Sequence, residues 1–309
     1  MAKDELHIVT GAFGFSGRYI TRKLLDRGIR VHTLTHRPQS SSPFGDRVRA
    51  MPPSFDDPAA LTESLRGAEV VYNTYWIRYA HGDATHQRAV DNTRILMRCA
   101  AEAGVGRFVH ISITNPSEDS GLAYFRGKAV LERTLLESGL SHAILRPTVL
   151  FGAGDILINN IAWMLRKLPV FGVFGRGDYR LQPVHVDDLA ELAVNAATER
   201  DNRTLDAVGP ETFTYEQLIR LIHTAVGSGA TLIHLPPSIA RAVGRCLGWA
   251  LGDVIITREE IQGLMSNLLI SDQSPTCPTR FSEWLGQNAC GLGRHYASEL
   301  KRHYHQKKR

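Results

Sequence analysis

Short runs of consecutive apolar residues alternate, along the first half of the chain, with longer stretches in which apolar residues return every three or four positions. Leu6-His-Ile-Val-Thr10 reads as a buried strand, and a helix is predicted from about Ser16 to Arg27. Gly28 stands where a helix C-terminus takes a left-handed residue. Arg30–Thr35 is a second strand, Pro38–Asp46 a Ser/Pro/Gly loop, Pro58–Leu65 a short helix and Glu69–Asn73 a third strand. A long helix follows over about Thr85–Ala103 and is ended by Gly104. Further strands at Arg107–Ile111 and Ser141–Leu145 flank a helix from about Tyr124 to Ser138. Strands alternating with helices of this length need crossover connections, so the pattern predicts an α/β fold with a doubly wound parallel sheet.

Beyond Arg146-Pro147 the pattern loosens. Asp155–Leu168 is an apolar helix, Val170–Gly177 a loop or hairpin, and Val184–Leu189 opens a helix that returns to the sheet. From about Arg203 the chain is mainly helical, with one strand near Thr231–Leu235. The expected organisation is a sheet domain over residues 1–150 with 178–200 returning to it, and a smaller helical substrate lobe from 151–177 and 201–300. A basic tail spans 301–309.

Composition narrows the class. With 309 residues, 43% hydrophobic and 22% charged, the chain is neither disordered nor collagenous, and its length allows two lobes. The net charge of +5 is located in one place: Lys301–Arg309 hold five of the 36 Lys/Arg and none of the 31 acids. Residues 1–300 balance, so no nucleic-acid partner is expected. The start has no long apolar run, and the longest apolar stretches are broken by Arg or Pro well short of the roughly 18–20 residues a span needs. Neither a secretory signal nor a membrane span is expected, and the expected location is cytoplasmic. The four Cys form no CxxC pair and are expected to be reduced and mostly buried; the 13 His include no HExxH, so no metal site is expected.

Chemistry is concentrated in three places. Thr10-Gly11-Ala-Phe-Gly14-Phe-Ser-Gly17 lies between a strand and a helix. Gly11 permits a tight turn, Gly14 close approach of a pyrophosphate, and Gly17 close packing of helix on strand. The helix start beyond adds unpaired N–H groups for the phosphates. At the end of the second strand an NAD site would carry an acid for the ribose 2′-hydroxyl, but this chain has Thr35-His36-Arg37. A guanidinium suits a 2′-phosphate, which favours NADP(H) over NAD(H). Tyr124-Phe-Arg-Gly-Lys128 puts a phenol and an ammonium on one helical face, where the cation lowers the phenol pKa from about 10. Ser112, just after a strand, is positioned to hydrogen-bond the same substrate oxygen.

The spacing GxxGxxG with a downstream YxxxK resembles the short-chain dehydrogenase/reductase superfamily in its extended and atypical branches. Val105–Ser112 resembles the strand leading to the catalytic Ser, Leu145–Gly152 the RPxxxxG segment beside the nicotinamide ribose, and Gln182–Leu189 a motif before a helix. The order of Val208–Leu218, Leu235-Pro-Pro and Ile256–Leu264 resembles the atypical branch that contains the accessory Rossmann subunit of respiratory complex I and bacterial stand-alone relatives. The resemblance implies Ser112, Tyr124 and Lys128 as catalytic residues. It implies Gly11, Phe13, Gly14, Phe15, Gly17, His36, Arg37, Phe55, Asn73, Thr74, Tyr124, Lys128, Pro147 and Thr148 as cofactor contacts, and Asn92 as a structural residue. Two departures stand out. Ser54-Phe55 replaces an Asp near the adenine, with Asp56 close, and Tyr72-Asn-Thr-Tyr-Trp-Ile-Arg-Tyr79 replaces a run of small residues. Those aromatics either shape the substrate pocket or partly close it.

The implied activity is that of an NADP(H)-dependent oxidoreductase on a carbonyl or alcohol of a small or lipophilic substrate. NAD remains an open cofactor, and the rival readings are a nucleotide-sugar epimerase or dehydratase and a non-catalytic nucleotide-binding module in an assembly or redox sensor. A monomer or homodimer is expected. The apolar run Leu157–Leu165 reads as core packing more than pocket lining. Ile239–Leu251, with Arg241, Arg245 and Trp249, reads as a helix covering the substrate lobe; peripheral membrane contact is the alternative.

Overall fold

A computed structural model describes residues 5–303. Its elements begin with β1 (Leu6–Thr10), α1 (Phe15–Asp26), β2 (Arg30–Leu34), β3 (Val48–Met51), α2 (Pro58–Leu65), β4 (Ala68–Asn73) and α3 (His86–Glu102). There follow β5 (Arg107–Ile111), α4 (Ala123–Glu137), β6 (His142–Pro147), β7 (Leu150–Phe151), α5 (Leu157–Lys167) and β8 (Val170–Phe174). Next come β9 (Arg180–Leu181), β10 (Val184–His185), α6 (Val186–Thr198), β11 (Arg203–Ala207), β12 (Phe213–Thr214) and α7 (Tyr215–Ala225). The last elements are β13 (Thr231–Leu235), α8 (Pro237–Leu251), α9 (Arg258–Met265), α10 (Phe281–Asn288) and the short α11 (Glu299–His303).

The chain divides into two units, residues 1–147 with 186–207 and residues 148–185 with 208–309. The first holds a seven-stranded sheet in the order β11-β6-β5-β4-β1-β2-β3, parallel throughout. The order reverses between β1 and β4, the switch point at which a doubly wound sheet opens a crevice for ligands. β1 and β5 are buried along their whole length, as strands covered by helices on both faces must be. Ile8, Val71, Phe108 and Ile144 meet Leu61, Leu96 and Leu131 from the helices in one core. On the other side α1 packs against α6, and Lys23 reaches Asp187 at 2.7 Å. Asp187 thereby ties the two helices together.

Both edge strands differ from the sequence reading. β3 is only four residues long, and β11 exposes its first two, so neither carries the apolar run that marks a buried strand. The returning segment is 186–207, not 178–200. Residues 178–185 stay in the second unit, and 201–207, expected in the helical lobe, supply the edge strand β11.

The second unit has its own core. Phe151, Ile158, Ile161, Leu165, Val173, Tyr215, Ile219 and Phe281 gather there, so Ile158, Ile161 and Leu165 of the apolar run are core packing, while Leu157 is exposed. Val170–Phe174 is not a hairpin: it pairs in parallel with β13, whose register is set some 60 residues along the chain by Thr231↔Val170. Among the thiols Cys99 and Cys277 are buried, whereas Cys246 and Cys290 are exposed against expectation.

Candidate active site

The carboxyl ends of β1 and β2 build the first part of the site. Gly11 has φ +68°, a left-handed conformation, and its N–H donates to the Leu34 carbonyl at 3.0 Å. The Gly14 N–H closes the turn on the Gly11 carbonyl at 2.8 Å and Gly14 starts α1 as its N-cap. A Cβ on Gly17 would lie 2.4 Å from the Gly11 oxygen, so only glycine lets α1 descend this closely on the turn. Gly14 and Gly17 thus leave a cradle at a helix N-terminus, the shape a pyrophosphate takes. Phe13 is buried, and Phe15 packs edge-on to Tyr19.

Beside the cradle the Arg37 Nη1 donates to the Phe13 carbonyl at 3.0 Å, and its backbone N–H to the Thr35 hydroxyl at 3.1 Å. Burial first, and then the charge of Arg18, lower the Arg37 pKa. Two guanidiniums therefore share this corner, and the buried Nε of Arg18 has no hydrogen-bond partner among the described residues. His36 is exposed. Where β1 meets β4, the Thr10 hydroxyl accepts from the N–H groups of Thr74 (2.8 Å) and Tyr75 (3.0 Å), and the Thr74 hydroxyl donates to the Thr10 carbonyl at 2.5 Å. Asn73 is wholly buried and bonds His110 at 3.0 Å. Thr10, Asn73 and Thr74 are thus the knit that holds the turn's floor.

The YxxxK pair lies on the first two turns of α4. Lys128 is buried, its Nζ donates to the Ile111 carbonyl at 2.7 Å, and it stands 4.5 Å from the centroid of the Trp76 ring. Desolvation lowers its pKa to about 7, partly offset by the nearby Glu132. Tyr124 is half-buried and meets the same indole edge-to-face at 5.6 Å, with the His86 ring at 6.0 Å. Trp76 fits here because the facing residue is Gly127, whose added Cβ would come 2.8 Å from the indole. Ser112, expected to face a substrate oxygen, instead donates to Glu132 Oε1 at 2.5 Å. Glu132 in turn holds Arg146 at 2.5 Å, and its hydrogen bond raises the Arg146 pKa. The hydroxyl proton of Ser112 is thus spent on the buried Glu132 carboxylate.

The profile of a family described as the NAD dependent epimerase/dehydratase family matches residues 7–208. The chain belongs to that family. It is 26% identical over 290 residues to the mitochondrial NADH dehydrogenase (ubiquinone) 1 alpha subcomplex subunit 9 of Arabidopsis thaliana, covering 86% of this chain and 71% of that protein. Its fold is that of a triphenylmethane reductase of Citrobacter sp. complexed with NADP(H), with TM-score 0.73, 16% identity and coverage of 92% and 99% of the two chains. A nucleoside-diphosphate-sugar epimerase of Staphylococcus aureus gives TM-score 0.71, 15% identity and coverage of 91% and 99%.

Against the epimerase/dehydratase pattern, the first unit brings the glycine turn, Arg37, Thr74, Tyr124 and Lys128 to the carboxyl ends of one sheet. Phe55 packs at a tilt on Tyr75, ring centroids 5.1 Å apart, and the Tyr75 hydroxyl accepts from Asn92 at 2.9 Å. Pro147 ends β6, and its carbonyl accepts from the Thr114 N–H at 3.1 Å. Thr148 belongs to the second unit, where its hydroxyl bonds the Gln182 carbonyl. Sequence reading missed Arg18, Glu132 and the part played by Trp76. Arg18 was legible as the first residue after the third glycine. Glu132 was legible as the residue four beyond Lys128 on the same face.

Proposed function

We propose that this protein binds NADP(H) and acts as an oxidoreductase on a carbonyl or alcohol of a small or lipophilic substrate. The observation that carries the reading is the pair of guanidiniums, Arg18 and Arg37, beside the glycine cradle. Two like charges in a half-buried corner repel each other, and a 2′-phosphate would relieve that repulsion and take up the Arg18 Nε–H. The cradle fits the pyrophosphate, with the first N–H groups of α1 taking its charge. When bound, the nicotinamide supplies or accepts the hydride.

Proton movement falls to Tyr124. Its phenol needs a neighbouring cation to act near neutral pH, and Lys128 is that neighbour. Because burial lowers Lys128 to about 7, the ammonium supplies its charge to only part of the population at neutral pH. Ser112 holds its proton on Glu132, so Tyr124 alone serves the substrate oxygen. Those same two facts, with Trp76 packed on Lys128, favour a second reading: a non-catalytic NADP(H)-binding module within an assembly. The likeness to a complex I subunit supports it too.

Calorimetric titration tests the cofactor choice. NADP(H) should bind at least about tenfold tighter than NAD(H), and Arg18→Ala or Arg37→Ala should each weaken NADP(H) while sparing NAD(H). Equal affinities would overturn it. Tyr124→Phe keeps the ring but removes the transferable proton, so turnover should fall at least about 100-fold with cofactor affinity unchanged. A variant with near-full turnover removes Tyr124 from the mechanism. A wild type that binds NADP(H) yet turns over nothing in a panel of carbonyls and alcohols selects the second reading.

A further inference from the structure

Helix α8 divides its apolar residues between two faces. Toward its own unit it turns two buried glycines beside the half-buried Leu247 and Leu251: a Cβ on Gly244 would lie 3.0 Å from Ile256 Cγ2, and one on Gly248 2.6 Å from the Asp253 carbonyl oxygen. Three other bulky residues face away, with Ile239 49%, Val243 52% and Trp249 89% exposed. Ala242, Cys246 and Ala250 are exposed as well, and the spacing 239, 242, 243, 246, 249, 250 draws one stripe along the helix. One face of the helix covers its own unit, as expected, and the opposite face carries this stripe.

Charge selects what meets the stripe. Residues 217–252 contain Arg220, Arg241, Arg245 and two His, and no Asp or Glu. Arg245 is exposed and Arg241 half-buried beside the stripe. A second copy docked through a twofold axis would bring both arginine pairs together with no carboxylate on either helix to compensate. An anionic surface meets no such repulsion. We propose that this face binds an anionic lipid bilayer, α8 lying in the surface plane with Ile239, Val243 and Trp249 among the upper acyl chains and Arg241 and Arg245 on lipid phosphates. No helix among the described residues is long and apolar enough to cross a membrane, so the contact is peripheral. It does not depend on the catalytic reading.

The test is flotation of the full chain with phosphatidylcholine vesicles, with and without phosphatidylglycerol. Binding should be at least about tenfold stronger with the anionic lipid and should weaken with salt. Val243→Ser with Trp249→Ser should abolish it, and Arg241→Gln with Arg245→Gln should reduce it to the level of the neutral vesicles. Both pairs alter no NADP(H)-binding residue, so unchanged cofactor affinity and melting temperature certify the fold. Equal binding to both vesicle types, no binding, or binding that survives the Val243/Trp249 double variant overturns the proposal. So does loss of binding on deleting residues 304–309 alone. Light scattering that finds a dimer dissociated by the same double variant assigns the stripe to a second copy instead.

Discussion

Lys128 is the residue on which stability and chemistry meet. Its pKa falls from the ordinary lysine value to about 7 because the ammonium is buried, with the Ile111 carbonyl and the Trp76 ring as its contacts. In the unfolded chain the same group keeps its proton to about 10.4. Between those values the unfolded state binds more protons, so stability must rise with pH from about 7 upward. Below pH 7 both states are protonated and the full desolvation cost is present. Lys128→Met keeps the stem and removes the titration. Denaturant melts from pH 7 to 9.5 should therefore show a rise of at least about 1 kcal/mol in the wild type that the variant lacks. Parallel curves would mean that Lys128 is solvated in the native state. No sequence pattern announces this, since YxxxK reads the same whether its lysine is wet or dry.

At the level of elements, the close approach of α1 to the turn before it rests on a missing side chain. Gly17 lies under the Gly11 carbonyl, and Gly17→Ala would put a methyl 2.4 Å from that oxygen, a backbone atom that has no rotamer to retreat into. The helix must move off the sheet. The expected cost is about 1–3 kcal/mol, read from the melting midpoint, with NADP(H) affinity falling because the helix N-terminus is displaced. An unchanged midpoint and affinity would remove Gly17 from that role. The strand-turn-helix order and its glycines were readable directly from the sequence. The edge strands β3 and β11 were not, because β3 has only four residues and β11 is exposed or half-buried at all but its last position, so neither carries an apolar run.

For the whole chain, the location of charge decides more than its sum. The balanced body and basic end predict that removing Lys301–Arg309 abolishes any DNA retention seen on a low-salt column. Retention that survives truncation would mean a positive surface elsewhere. Residues 304–309 of that end lie outside the described residues. The sequence by itself determined the parallel sheet from β6 to β2 without its two edge strands, the glycine cradle, the absence of an acid after β2 and the YxxxK spacing. Each of these is local: apolar period, glycine at a turn, or two residues on one face of one helix. Only the tertiary structure decided which partners those side chains meet. Ser112 and Glu132 are 20 residues apart, and Trp76 and Lys128 are 52 apart; α8 turns its glycines inward because of the 253–256 segment that packs on it. Such pairings come from chain segments brought together by the core, and hydrophobic patterning sets which face is buried without setting which polar group lies opposite.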